Sequence, residues 1–125
     1  RHGAGAHVVM LDGEGYSLLW KDGEPRKRVE WHAGTMFAPP EWAWHQHFNT
    51  GDKPARYLAI RNNNPEHPVR MGLPGFRHIV DGKTQFGETQ IEFDQEDPVI
   101  YAEYAAELAK KGVKIRQEMP GKTQN

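Results

Sequence analysis

The sequence predicts an all-β domain, and three observations support this prediction. The chain has 125 residues with 13 glycines and 9 prolines, a composition that favours many tight turns. It also carries 4 Trp, 4 Tyr and 5 Phe, large side chains that pack well on the faces of sheets. Its apolar runs have the length of short strands and stop at glycine, proline, aspartate or asparagine. Together these features are typical of an antiparallel sandwich or barrel.

Six strands are predicted in the first half of the chain. The first apolar run stops at Gly13, after which a second run begins. The pair Asp22-Gly23 follows, and it suits a two-residue hairpin turn because both residues tolerate positive φ. Prolines end the short fourth strand, since proline lacks the donor that a β-ladder needs. The predicted strands are residues 6–12, 16–20, 26–31, 35–38, 42–49 and 56–61.

The sequence changes character after residue 62. Residues 62–87 are rich in Asn, Pro and Gly, lack periodicity, and exceed the roughly 4–6 residues of an ordinary loop. We therefore divide the chain into barrel strands at 1–62, an irregular arm at 63–95, and a helix with its tail at 96–125. We expect the arm to lie over the barrel or over a neighbouring subunit.

One amphipathic helix is predicted near the end of the chain. Asp97 is a typical N-cap residue, and Pro98 occupies the first helical position, where proline is favoured. Apolar side chains then recur every four residues until Gly112, at which we expect the helix to end. A packing role accounts for this pattern.

The overall composition argues against several classes of partner. The 16 basic and 17 acidic residues balance, so we expect no nucleic acid partner. The apolar runs are far shorter than the roughly 20 residues of a membrane-spanning helix, so we expect no membrane partner. Cysteine is absent, as is usual for proteins of a reducing compartment. We expect a soluble, cytoplasmic protein.

Histidines are the candidate functional residues, and there are seven of them. His45 and His47 are two residues apart on a predicted strand, so their side chains should share a face. Neutral imidazole binds divalent Fe, Mn, Ni, Cu or Zn, and ligands from adjacent strands can converge inside a barrel. His32, His67 and His78 are expected on the surface or in the arm.

The spacing around His45 resembles the second motif of the cupin superfamily, written G-x5-P-x-G-x2-H-x3-N. This chain has Gly34, Pro40, His45 and Asn49 at the fixed positions, and Trp42 where the motif has a glycine. The local turn must then be made by other means. The resemblance implies a jelly-roll barrel and covers residues 1–62.

The start of the chain resembles the first cupin motif, G-x5-H-x-H-x3 or 4-E-x6-G. Its second half runs from His2 to Gly13, with His7 interpreted as standing in the place of the glutamate. The resemblance then implies one divalent transition metal, iron or manganese first and nickel, copper or zinc as alternatives, held by His2, His7 and His45. An all-histidine set leaves the ion at its full +2 charge, which favours an anionic substrate such as a carboxylate, an enolate or a catecholate.

Four further residues are candidates for the substrate site. His47 is interpreted as a fourth ligand, as a catalytic proton donor or as a residue at the rim, and the sequence leaves these three open. Arg56 would pair with a substrate carboxylate if it pointed inward. Phe37 and Trp42 are aromatic side chains that would line such a barrel, where they also serve as core.

The resemblance implies a metal-dependent enzyme acting on a small molecule, with a dioxygenase as the first expectation. A decarboxylase or isomerase with the metal as Lewis acid is an alternative, and so is a non-catalytic binding domain of a two-cupin protein. Because the motif begins before Arg1, we expect a barrel incomplete at its N-terminus and a longer natural polypeptide. The expected partner is a second subunit in a homodimer, or that N-terminal part.

Overall fold

The computed structural model describes residues 1–2, 6–61, 77–80, 83–86 and 90–116, with backbone alone for 61, 77–80 and 83–86. Ten elements follow each other within these described ranges. They are β1 (Ala6–Asp12), β2 (Glu14–Trp20), β3 (Lys27–His32), β4 (Met36–Phe37), β5 (Trp44–Asn49), β6 (Arg56–Arg61), β7 (Arg77–Val80), β8 (Lys83–Phe86), a 3₁₀ helix (Phe93–Gln95) and α1 (Pro98–Lys110).

The first six strands form two antiparallel sheets of three strands each. One sheet has the order β4-β1-β6 and the other the order β3-β2-β5. A jelly roll has eight strands in two such sheets, and the described residues supply three strands of each. The predicted all-β class and all six predicted strands are confirmed, with bounds that differ by one to two residues at some ends.

The inner faces of the two sheets form the first core. Val8 and Met10 of β1 are buried against Trp31 of β3, with Phe37 packed beside them. Alternation along β1 explains this arrangement, because every second side chain of a strand points to the same face. The histidines of β5 lie on this same inner side, where Phe37 meets the ring of His47 at 5.7 Å between centroids.

Helix α1 packs on the other face of the sheet β3-β2-β5 and forms the second core. Tyr16, Leu18 and Phe48 are buried there against Ile100 of the helix. The rings of Tyr16 and Phe48 stack at 4.8 Å between centroids. Tyr104 of the helix adds a hydrogen bond from its hydroxyl to a backbone carbonyl at the end of β5. The helix thus covers the outer face of the strand that carries His45 and His47.

The predicted helix is confirmed together with both of its ends. The carboxylate of Asp97 accepts a hydrogen bond from the amide of Val99 at 3.0 Å, and Pro98 is the first helical residue. Gly112 follows the last turn with a φ of 67°, the left-handed conformation that glycine adopts most easily.

The arm departs from the sequence prediction at one place. Residues 77–80 and 83–86, predicted as irregular, form the antiparallel pair β7-β8, with Val80 opposite Lys83. The pair Asp81-Gly82 separates the two strands in the sequence, and such a pair favours a two-residue hairpin. The rest of the arm up to residue 89 lies outside the described residues.

The outer face of the sheet β4-β1-β6 exposes apolar side chains. Met36, Leu58 and Ile60 are 66%, 50% and 54% exposed. The strand register explains this exposure. Met36 and Leu58 both pair with Val9, whose side chain points outward because its neighbours Val8 and Met10 point inward. Among the residues that the structure describes, none of the helices combines the length and apolar character that a membrane crossing requires.

Candidate functional site

Two histidines from distant parts of the sequence meet at the candidate site. The rings of His2 and His45 lie 4.7 Å apart between centroids and stand at 85° to each other. The backbone amide of Trp42 donates a hydrogen bond to the carbonyl of His2 at 3.0 Å. This bond fixes His2 beside the turn before β5, where the edge of one imidazole meets the face of the other.

Trp42 makes the turn that the second motif assigns to a glycine. Its φ is 57°, so a tryptophan here takes the left-handed conformation that glycine adopts more easily. A side chain with a β-carbon pays roughly 1–2 kcal/mol for that conformation. At the position where the motif has a glycine, Trp42 thus has a backbone conformation that suits glycine.

A backbone carbonyl fixes the proton of His45. Its Nδ1 lies 2.9 Å from the carbonyl oxygen of Ala43. Because a carbonyl only accepts hydrogen bonds, Nδ1 must carry the proton in this contact. The neutral ring then has its lone pair on Nε2, which is the form in which histidine binds a metal.

His47 lies on the same side of β5 as His45, as the spacing of two residues predicts. Its ring lies 5.9 Å from that of His45 and 5.5 Å from that of Tyr57. Its Nδ1 lies 2.7 Å from the hydroxyl oxygen of Ser17. Burial, and secondarily the charge of His45, lowers the pKa of His47 to about 4. The ring of His47 is therefore neutral near pH 7.

His7 is not brought to this group. Its side chain is exposed, between the buried Ala6 and Val8, so it lies on the opposite face of β1. The first motif places six residues between its acid and its last glycine, and counting back from Gly13 leads to Ala6 and not to His7. A shift of one residue reverses the face of a strand position. The geometry thus gives no support to His7 as a ligand beside His2 and His45.

The predicted substrate residues divide between the two faces of the barrel. Phe37 contacts His47, as a lining residue should, and half-buried Trp42 lies next to His2 in the turn. Arg56 is exposed and pairs in register with Asp12. Its neighbour Tyr57 points to His47, so Arg56 lies on the other face of β6, away from the histidines.

Two residues of this site were not predicted from the sequence. Ser17 and Trp31 stand behind His47, and the indole Nε1 of Trp31 donates to the hydroxyl of Ser17 at 3.0 Å. The available signal was a single serine inside the otherwise apolar run of β2, at a position that turns out to be fully buried. A buried polar side chain requires a partner, and that requirement could have identified Ser17.

A cavity of about 590 Å³ opens beside His45. Its walls include Trp20, Trp44 and Arg26, together with the segment that leads into α1. The indole Nε1 of Trp44 donates to the carboxylate of Asp22 at 2.7 Å, which fixes that wall. Trp20 and Trp44 alternate with Leu19 and His45 along their strands, so most of this cavity lies on the helix side of the sheet and not on the inner side, where His47 meets Phe37.

The donor set formed by His2 and His45 fits a divalent metal in part. Within the described ranges, no three His, Cys, Asp or Glu side chains stand close enough to hold one ion together. The set offers instead the adjacent imidazoles of His2 and His45, with the lone pair of His45 on Nε2. Nitrogen ligands of this type suit iron, manganese, nickel, copper and zinc alike.

Comparison with known proteins agrees with the fold and with the motif spacing. Residues 1–61 match the family model described as a cupin domain. No curated protein matches the chain. The matched residues contain β1 to β6 and all the histidines of the site. Residues 1–61 therefore form a cupin domain and belong to the cupin superfamily.

Proposed function

We propose that this cupin domain binds one divalent transition metal at His2 and His45 and acts on a small anionic or chelating substrate, with dioxygenation as the reaction. The observation that carries the proposal is the proximity of the two imidazole rings, whose centroids lie 4.7 Å apart. It is supported by the proton on Nδ1 of His45, which leaves Nε2 as the metal-binding nitrogen. Iron and manganese are the first candidates.

The charge of the site favours an anionic substrate. Two neutral imidazoles leave the ion with its full +2 charge, and Ala6, at the acid position of the first motif, brings no carboxylate. When bound, the ion would polarise a chelated oxygen of the substrate. Phe37 and Tyr57 flank His47 on the inner side and would hold an aromatic or other planar substrate by packing.

Two alternatives share this site. A decarboxylase or isomerase would use the same ion as a Lewis acid without dioxygen. A non-catalytic cupin that binds a metal or a small molecule is favoured by Ala6, which is small and buried at the position where the motif has its acidic ligand.

Elemental analysis and oxygen uptake separate these possibilities. We expect iron in the purified protein and oxygen consumption with a member of a panel of catechols and hydroxy acids. Manganese with product but no oxygen uptake would favour the decarboxylase or isomerase. No turnover by the metal-loaded protein would contradict an enzyme and favour the binding module. The His45→Ala variant serves as the inactive control, and His32→Ala, at an exposed position, as the active one.

We also propose a cytoplasmic location, supported by the absence of cysteine. Fractionation of the source cells tests it. Recovery of the protein outside the cytoplasmic fraction would contradict it.

A further inference from the structure

Three side chains form a hydrogen-bonded chain that ends on His47. The indole of Trp31 donates to the hydroxyl oxygen of Ser17 at 3.0 Å, and the same oxygen lies 2.7 Å from Nδ1 of His47. Ser17 and Trp31 are 0% and 3% exposed, so solvent does not reach this part of the hydrogen-bond network. Their polar groups must find partners among themselves.

The direction of these bonds follows from what each group can do. An indole N–H only donates, so Ser17 accepts from Trp31. Within the described part of the chain, the other polar contact of this hydroxyl is Nδ1 of His47. If Ser17 accepted from His47 as well, its own proton would be buried without an acceptor in these contacts, which is costly. The hydroxyl of Ser17 therefore donates its hydrogen bond to Nδ1 of His47.

We propose that Trp31 and Ser17 hold His47 in the tautomer with its proton on Nε2, so that His47 donates a hydrogen bond to a substrate oxygen and is not a metal ligand. A nitrogen that carries a proton has no lone pair to offer to an ion. Of the three roles that the sequence leaves open for His47, this geometry selects the donor. Ser17 is then a positioning residue, which acts through His47.

His45 and His47 thus have opposite tautomers two residues apart on one strand. Nδ1–H of His45 donates a hydrogen bond to a carbonyl, whereas Nδ1 of His47 accepts one from a hydroxyl. One ring presents a lone pair and the other an N–H. The pair suits a substrate with an anionic or carbonyl oxygen near the ion, such as a carboxylate or an enolate. That last step rests on the proposed function, whereas the tautomers belong to the protein without metal.

The tautomers can be read directly by long-range ¹H–¹⁵N correlation spectra of the metal-free protein. The spectra are recorded near pH 8, roughly 1.5 units above the ordinary histidine pKa. We expect the Nε2–H pattern for His47 and the Nδ1–H pattern for His45. His32 is the internal control, because its Nδ1 also lies 2.9 Å from a backbone carbonyl, that of Ala33. An Nδ1–H pattern for His47 would overturn the proposal, and this measurement needs no variant.

Two additions separate this inference from the proposed function. In Ser17→Ala we expect a mixture of His47 tautomers. In Ser17→Thr, which keeps the hydroxyl, we expect the Nε2–H pattern again. An unchanged His47 in Ser17→Ala would overturn the role of Ser17. Titration with Zn²⁺ should shift Nε2 of His45 and leave Nε2 of His47 unligated. Ligation at His47 would overturn the proposal. If Zn²⁺ shifts neither ring, the metal site fails while the Nε2–H pattern of His47 still supports the tautomer.

Discussion

The backbone amide of Trp42 donates to the carbonyl of His2 at 3.0 Å, and this bond joins the two halves of the candidate site. Trp42 can present its amide in this way because its backbone is in the left-handed region, with φ at 57°. The turn therefore positions His2 against His45. Its conformation, more than the identity of the residue, is what the site requires.

Replacing Trp42 by glycine and by alanine measures the strain in this turn. Both variants lose the indole, but only Trp42→Ala keeps a β-carbon in the left-handed conformation. We expect Trp42→Gly to exceed Trp42→Ala by about 1 kcal/mol in the free energy of unfolding, measured with urea. At an ordinary φ the alanine variant would be the more stable one by about 0.4–1 kcal/mol, and that order would contradict the account.

Gly15 lies where the strands β2 and β5 approach too closely for a side chain. A β-carbon at this position would collide with the carbonyl oxygen of Phe48 and with the ring of Trp31. We expect Gly15→Ala to lower the free energy of unfolding by about 3 kcal/mol, as overpacking of a core does. Gly51→Ala is the matched control, since a β-carbon there meets its nearest atoms at 3.4 Å. Equal losses in the two variants would refute this explanation.

Asp97, the N-cap of α1, makes the stability of the protein vary with pH in the acid range. Asp97 accepts hydrogen bonds from Arg26 and from the amide of Val99, which hold the pKa of its carboxyl below the usual range, the bond to Arg26 most strongly. Because the folded pKa is the lower one, this stabilisation is present above the unfolded pKa of about 3.9 and is lost as the pH falls through the folded value.

Urea midpoints of the wild type and of Asp97→Asn at pH 7 and near pH 2 test this dependence. Asparagine keeps an oxygen for the cap but removes the charge that pairs with Arg26. We expect the wild type to be the more stable protein at pH 7 and the difference to shrink in acid. A difference that is the same at both pH values would show that the charge of Asp97 contributes nothing.

Strand and helix positions could be predicted from the sequence because each carries a local signal. Apolar runs bounded by turn residues gave the six strands, and the Asp97-Pro98 pair with Gly112 gave both ends of the helix. The pair β7-β8 was missed because a composition rich in Asn, Pro and Gly concealed the turn signal of Asp81-Gly82.

The site was harder to predict because it depends on register and on contacts between distant residues. His7 and Ala6 differ by one position, and only the alternation of β1 against the other sheet decides which of them faces inward. The hydrogen bond of Ser17 to His47 joins residues 30 apart in the sequence. No local pattern states such a contact, whereas the proximity of His2 and His45 followed from the motif spacing.

Self-association is expected from the exposed apolar face of the sheet β4-β1-β6. Met36, Leu58 and Ile60 leave half or more of their surface in solvent. Exposed apolar patches mark interaction sites, and two-fold dimers are the commonest oligomers. The contribution predicted for residues 63–95 lies largely outside the described residues. Light scattering at micromolar concentration should give the mass of a dimer, and Leu58→Lys should lower it towards the monomer. A wild type that stays monomeric would contradict this prediction.

Titration calorimetry can decide whether His2 and His45 hold a metal. The wild type and the variants His45→Ala, His7→Ala and His32→Ala are freed of metal by a chelator and titrated with Mn²⁺. We expect one ion per chain in the wild type, none in His45→Ala, and unchanged binding in the other two, because His7 and His32 are exposed and away from the site. Loss of binding in His7→Ala would restore the ligand set indicated by the sequence. Binding of Mn²⁺ by His45→Ala as tightly as by the wild type would contradict the account.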